Sequence, residues 1–155
     1  MAVHRAEQAI EISAGAEACF EAIVDYETFP AWQGAVKNVE VLSRDGDGLG
    51  EIVSFRVDAD LREVTYSLRY RYDRPGRVEW EFVEGDDVAH VRGEYRFEPK
   101  GEATVATYVL GIAPGMPVPG FVVNRMNRQV MWRSVRELRD EVERRAGVRA
   151  VSPAS

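Results

Sequence analysis

The chain has 155 residues, 45% of them apolar and 30% charged, with a formal charge of −6. Such a length suits one domain with a sizeable core, and interspersed acids and bases without a basic stripe argue against nucleic acid as a partner. No apolar run reaches the ~18 residues of a transmembrane segment, "MAVHRAEQAIEIS" lacks the apolar centre of a secretory signal, and a single cysteine, Cys19, excludes an internal disulfide framework and fits the reducing cytoplasm.

Residues 3–12 open as a strand, with Ile10 and Ile12 alternating about Glu11. Ser13 is a candidate cap for a helix over about 15–24, although Ala16 stands where a capping box needs Glu or Gln. Ala16, Phe20, Ile23 and Val24 share one face of that helix. Thr28 and Pro30 favour a second, very short helical turn. From about 36 to 112 the pattern changes to six strands, "VKNVEVLSR", "EIVSFRVDA", "LREVTYSLRYRY", "VEWEFVE", "VAHVRGEYRFEP" and "TVATYVLGI". The turns between them include "DGDGLG", "DRPGR", "GDD" and "KGEA", so the sheet is expected to be antiparallel and, with the first segment, seven-stranded. "APGMPVPG" cannot continue a central strand. It leads into the longest helical pattern, about 119–146, with Met131, Val135, Leu138 and Val142 on one stripe. Gly147 is a plausible stop. The domain is taken as residues 1–147, with 148–155 a loose tail.

Alternation along these strands sorts the residues into two faces. Val64, Tyr66, Leu68 and Tyr70 fall together, as do Val78, Trp80 and Phe82, then Gly93, Tyr95 and Phe97, then Ala106, Tyr108, Leu110 and Ile112. The opposite face carries Glu63, Arg69, Arg71, Glu79, Glu81, Glu94 and Arg96. Two packings satisfy an inner face so rich in tyrosine: a filled core whose edge hydroxyls reach water, or a cavity between sheet and long helix, apolar with a few polar handles. Followed backward, the helix stripe turns polar at Asn127 and Asn124. That marks either a solvated helix end or amides projecting into a cavity mouth.

Catalytic signatures are missing. Two histidines and one cysteine cannot build a common structural zinc site, so no metal is expected. In "DGDGLGE" Leu49 and Arg56 occupy positions an EF-hand gives to ligands, which leaves a hairpin turn. No phosphate loop, dinucleotide fingerprint or nucleophile elbow is present, and no cofactor is expected. Alternation sends His90 and Arg92 to solvent if Tyr95 and Phe97 point inward, unless Gly93 marks a bulge that reverses them. Cys19 reads as a small apolar residue.

"ISAGAEACFEAIVDYETFPAW", "VRGEYRFEPKGEATVATYVLGIAPG" and "VRELRDEVERR" together resemble the START-like SRPBCC superfamily, in particular its polyketide cyclase/dehydrase and coenzyme-Q-binding branch. The resemblance spans about residues 3–146 and implies an α+β helix-grip fold: a seven-stranded antiparallel sheet wrapped around the C-terminal helix, with two short helices between strands 1 and 2. It further implies a cavity for a lipid, quinone or polyketide, with the "DYETFPAW" stretch lining or closing one end. The candidate ligand-binding residues are then Trp32, Phe55, Tyr66, Tyr70, Trp80, Phe82, Tyr95, Tyr108, Asn124, Asn127 and Met131. The function expected is binding of a hydrophobic small molecule. The alternative is a polyketide aromatase/cyclase or dehydratase using tyrosine hydroxyls as acids. Ligand identity and oligomeric state are left open by the sequence.

Overall fold

The computed structural model describes residues 4–58, 63–85, 88–114 and 120–148, with 4, 88–90, 112–114 and 120–127 described as backbone alone. Its strands are β1 (His4–Ile12), β2 (Val36–Arg44), β3 (Gly50–Asp58), β4 (Glu63–Asp73), β5 (Arg77–Gly85), β6 (Val88–Lys100) and β7 (Ala103–Pro114). The helices are α1 (Ala16–Ile23), α2 (Phe29–Trp32) and α3 (Gly120–Arg145), with a 3-10 turn at Tyr26–Thr28. All seven strands form one antiparallel sheet in the order β1-β7-β6-β5-β4-β3-β2.

β2 to β7 follow one another as neighbours, as tight turns dictate. In the β2–β3 turn, Asp45 Oδ1 accepts from the amides of Asp47 and Leu49 at 2.9 and 3.0 Å, and Gly48 takes φ +83°. That left-handed backbone is where glycine costs least. β1 and β2 are consecutive in the chain yet lie at opposite edges of the sheet. The α1–α2 connection must therefore cross the sheet, and it crosses on the apolar face. Tyr26 and Phe29, 2% and 5% exposed, anchor it there. Ser13 does not cap α1: the N-cap is Gly15, without a side-chain bond. The Ser13 amide donates to Glu143 Oε2 at 2.9 Å, which ties this turn to α3.

α3 lays Met131, Val135, Leu138 and Val142 inward, each at most 1% exposed. Its end is closed by Gly147 at φ +75°, with the Gly147 amide donating to Arg144 O at 3.2 Å and the Val148 amide to Glu143 O at 2.9 Å. Carboxylates then tie α3 to its surroundings. Glu137 Oε2 accepts from the Gly34 amide at 2.9 Å. Arg145 reaches Asp25 at 3.2 Å and Thr28 Oγ1 at 3.1 Å. No described helix is long and apolar enough to cross a membrane.

Glu141 is buried and accepts from Arg144 at 2.9 and 2.7 Å and from Arg145 at 2.7 Å. The Arg144 hydrogen bonds above all hold its carboxyl below the ordinary value of 4.5, Arg145 adding to the effect. A folded value below the unfolded one means stability that is complete above about pH 4.5 and lost as pH falls through the folded value. Glu141→Gln is therefore expected to be less stable than the parent near neutrality, with the gap closing below about pH 4.5. Denaturant midpoints followed across this range test it, and a gap that does not change on acidification refutes it.

Candidate ligand-binding cavity

The inner face of the sheet does not close completely on its helices. A cavity of about 270 Å³ remains, walled by Phe55 of β3, Tyr66, Leu68 and Tyr70 of β4, Trp80 of β5, Val91 and Tyr95 of β6, and Tyr108 and Leu110 of β7. Ile23, Phe29, Gln33 and Val36 contribute from the crossing segment, and Val130, Ser134 and Leu138 from α3. The volume lies just below the roughly 300–1,000 Å³ usual for ligand pockets. Strand parity places the wall, because each residue named from β4 to β7 shares its inward face with the next but one.

Aromatic rings run across the wall without a break. Phe55 meets Tyr66 at 5.8 Å between centroids, Tyr70 meets Trp80 at 5.9 Å, and Trp80 meets Tyr95 and Tyr108 at 5.9 and 5.7 Å. Tyr95 stacks on Tyr108 at 4.6 Å. The Trp80 indole lies where a side chain at residue 93 would otherwise be, and a Cβ added to Gly93 would stand 2.6 to 2.8 Å from three indole atoms. Gly93 is no bulge: its register with Trp80 and Leu110 is continuous, and the shift in β6 falls between Val88 and His90. Alternation therefore holds, and Arg92 is exposed on the outer face.

The tyrosines divide into two groups. Tyr26 donates to Tyr72 Oη at 2.7 Å, and Tyr72 donates to Gly50 O at 2.5 Å, which closes a structural relay beside the cavity. Among the described residues, nothing hydrogen-bonds the hydroxyls of Tyr66, Tyr70, Tyr95 or Tyr108. Nor are they sealed in protein, since the only sealed and unpartnered side-chain polar atoms described are Ser43 Oγ and Arg96 Nε. The four phenols thus open onto the cavity. Burial pushes Tyr66 up to about 12, and Tyr70, Tyr95 and Tyr108 well above the ordinary 10, with neighbouring phenols adding to the shift for the last three. All four are neutral hydrogen-bond donors near neutral pH. Cys19 is fully buried, and desolvation raises its thiol to about 11, which leaves it unionised and a poor nucleophile.

Of the sequence candidates, Phe55, Tyr66, Tyr70, Trp80, Tyr95 and Tyr108 come together in the wall. Trp32 stands behind it: its ring packs edge-on against Phe29 at 5.1 Å, and its indole N–H donates to Thr28 Oγ1 at 3.0 Å. Phe29 is the aromatic of that stretch that reaches the cavity. Met131 is in the helix core, 1% exposed, and Phe82 is half-buried opposite Leu68; neither belongs to the wall. The side chains of Asn124, Asn127 and His90 lie outside the described residues. Sequence reasoning passed over Gln33, Val130 and Ser134. The parity that selects Tyr95 would also have selected Val91.

A seven-stranded antiparallel sheet holding a long C-terminal helix, with short helices between its first two strands, is the helix-grip arrangement of START-like proteins. The chain belongs to the family described as polyketide cyclase/dehydrase and lipid transport, whose pattern matches residues 3–143. Among solved structures, a START superfamily protein from Mycobacterium smegmatis superposes with a TM-score of 0.86 at 21% identity, over 91% of this chain and 98% of its own. The Zhui aromatase/cyclase of a Streptomyces species gives 0.81 at 18% identity, over 97% and 99%. A STAR-related lipid transfer protein from Xanthomonas axonopodis gives 0.72 at 17%, over 90% and 85%. No curated protein matches the chain by sequence.

The close fit of Trp80 over Gly93 sets a measurable coupling. Gly93→Ala is expected to cost about 1–3 kcal/mol through overpacking. Combined with Trp80→Leu it should cost less than the sum of the two single changes, because the smaller side chain vacates the space. Urea unfolding of both single variants and the double variant measures this, and strict additivity would contradict the described contact.

Proposed function

We propose that this chain binds a hydrophobic small molecule carrying ketone, quinone or phenol oxygens, in the cavity between sheet and α3. The observation that carries this reading is the set of four phenol hydroxyls, from Tyr66, Tyr70, Tyr95 and Tyr108, that face an apolar space and have no hydrogen-bond partner among the described residues. A buried donor left unpaired costs roughly 1–3 kcal/mol, so such groups are stable only where something in the space accepts from them. Rings and aliphatic side chains supply the area that a lipid-like body needs, and neutral phenols supply directional donors to its oxygens. The family description, which names lipid transport beside polyketide cyclisation, supports this class of ligand.

Cyclisation of a polyketide chain in the same cavity is the second reading, favoured by the likeness to a protein named an aromatase/cyclase. The phenols suit it less well as proton-transfer groups. An acid or base works best with a pKa near the working pH, whereas burial drives these four upward from 10. They suit holding a chain in a folded shape better than moving its protons.

Tyr→Phe at positions 66, 70, 95 and 108 separates the two readings. Binding predicts graded losses of affinity, each about tenfold or less, since a neutral hydrogen bond contributes roughly 0.5–1.5 kcal/mol. The measurements are dissociation constants for a quinone, a fatty acid and an aromatic polyketide, and product formation from a reactive polyketide chain. If one variant abolishes product formation while its affinity is unchanged, the cyclase reading replaces the binding one.

A further inference from the structure

The outer face of the sheet carries a second concavity, of about 450 Å³, lined by five arginines and three glutamates together with Val109 and Gly111. In a chain of formal charge −6 this local excess of positive charge runs against the average. The register shows how it is built. Arg5 of β1 pairs with Gly111 of β7, Gly111 with Arg92 of β6, Arg92 with Glu81 of β5, and Glu81 with Arg69 of β4. These five residues form one row across five strands, and Arg5, Arg92 and Arg69 are exposed on its outer side.

The carboxylates of the depression are already engaged. Arg77 holds Glu79 at 2.5 Å and Glu94 at 2.7 Å, and Arg71 holds Glu81 at 3.3 Å. Arg5, Arg69 and Arg92 have no ion pair among the described residues. Between Arg5 and Arg92 the row has no side chain, because Gly111 lies there. Gly111 is buried, and Val109 beside it is 5% exposed, so they form a floor. Two strand spacings separate the Cα atoms of Arg5 and Arg92, about 10 Å, a gap that two long side chains can close around one anion.

We propose that this depression is an anion site for a phosphate monoester, seated over Gly111 between the guanidinium groups of Arg5 and Arg92. A carboxylate offers two oxygens and is satisfied by one guanidinium fork, whereas a phosphate monoester offers three terminal oxygens and up to two charges, enough for two forks. Arg69, beyond Glu81, adds positive potential without direct contact. The site lies on the opposite side of the sheet from the cavity and stands whether or not that cavity binds a hydrophobic ligand.

The test is a titration of the full chain with phenyl phosphate, inorganic phosphate and benzoate at constant ionic strength, followed by amide chemical shifts. Phenyl phosphate and inorganic phosphate should bind saturably at one site, with shifts centred on Arg5, Arg92 and Gly111, and benzoate should bind far more weakly. Arg5→Gln and Arg92→Gln should each weaken phenyl phosphate by about tenfold or more, as loss of charged hydrogen bonds does. Arg92→Lys should recover only part of that loss, because it restores charge without the fork. Arg139→Gln on α3 should leave binding unchanged. Absence of saturation, benzoate binding as tightly as phenyl phosphate, inorganic phosphate binding alone, or an equal loss in Arg139→Gln would each overturn the proposal. Thermal midpoints of the arginine variants confirm that the comparison is between folded proteins.

Discussion

Phenol groups on an apolar wall, without a hydrogen-bond partner among the described residues, set the terms for the rest of this structure. A filled core would bring hydrocarbon against those hydroxyls and strand them at a cost of roughly 1–3 kcal/mol each. Keeping a space in front of them avoids the cost but gives up the packing that the same area would provide. The chain settles the conflict by placing its tight packing elsewhere. Ile12, Phe20, Val78, Ala106 and the α3 stripe are buried almost completely, and the tyrosines are left to face the gap.

An open space needs a fixed frame, and α3 is fixed by charge as much as by apolar contact. Its carboxylates accept from backbone amides at Ser13 and Gly34, one on each side of the crossing segment. Arg145 adds contacts with Asp25 and Thr28. These bonds pin the C-terminal two-thirds of α3 to the segment that closes the cavity. Nearer its N-terminal end, Val130 both lines the cavity and is 49% exposed, which places an opening to solvent beside it. Apolar surface exposed at such a rim suits the passage of a hydrophobic molecule.

Most of the architecture was legible because it depends on periodicity. The sequence limits of β2 coincide with the observed Val36–Arg44, and the stripe of α3 is the one expected. Period-two alternation found the tyrosine wall for the same reason. What escaped depends on three-dimensional choices that spacing does not encode. Phe29 and Trp32 are both aromatic in one short helix, yet Phe29 lines the cavity while the Trp32 indole donates to Thr28 outside it. Ser13 has the chemistry of a cap, yet the helix starts later and the N-cap position falls to Gly15. Gly93 carries two meanings in a strand, a bulge or a close approach, and only the position of Trp80 selects the second. Gln33 and Ser134 are polar residues in a loop and a helix, with no pattern to mark them as lining.

The pairing of β1 with β7 joins residues that are far apart in the chain, from His4 opposite Ile112 to Ile12 opposite Thr104. During synthesis the first strand therefore has no neighbour until the seventh has been made, and the aromatic face lacks its long helix until α3 follows. Strands β2 to β6 can pair in hairpins as they emerge, but the result is a half-built sheet with one greasy side and an unpaired edge. Long-range closure of this kind is slow and leaves intermediates prone to association. Until β7 and α3 are added, the aromatic face and a free strand edge are exposed together.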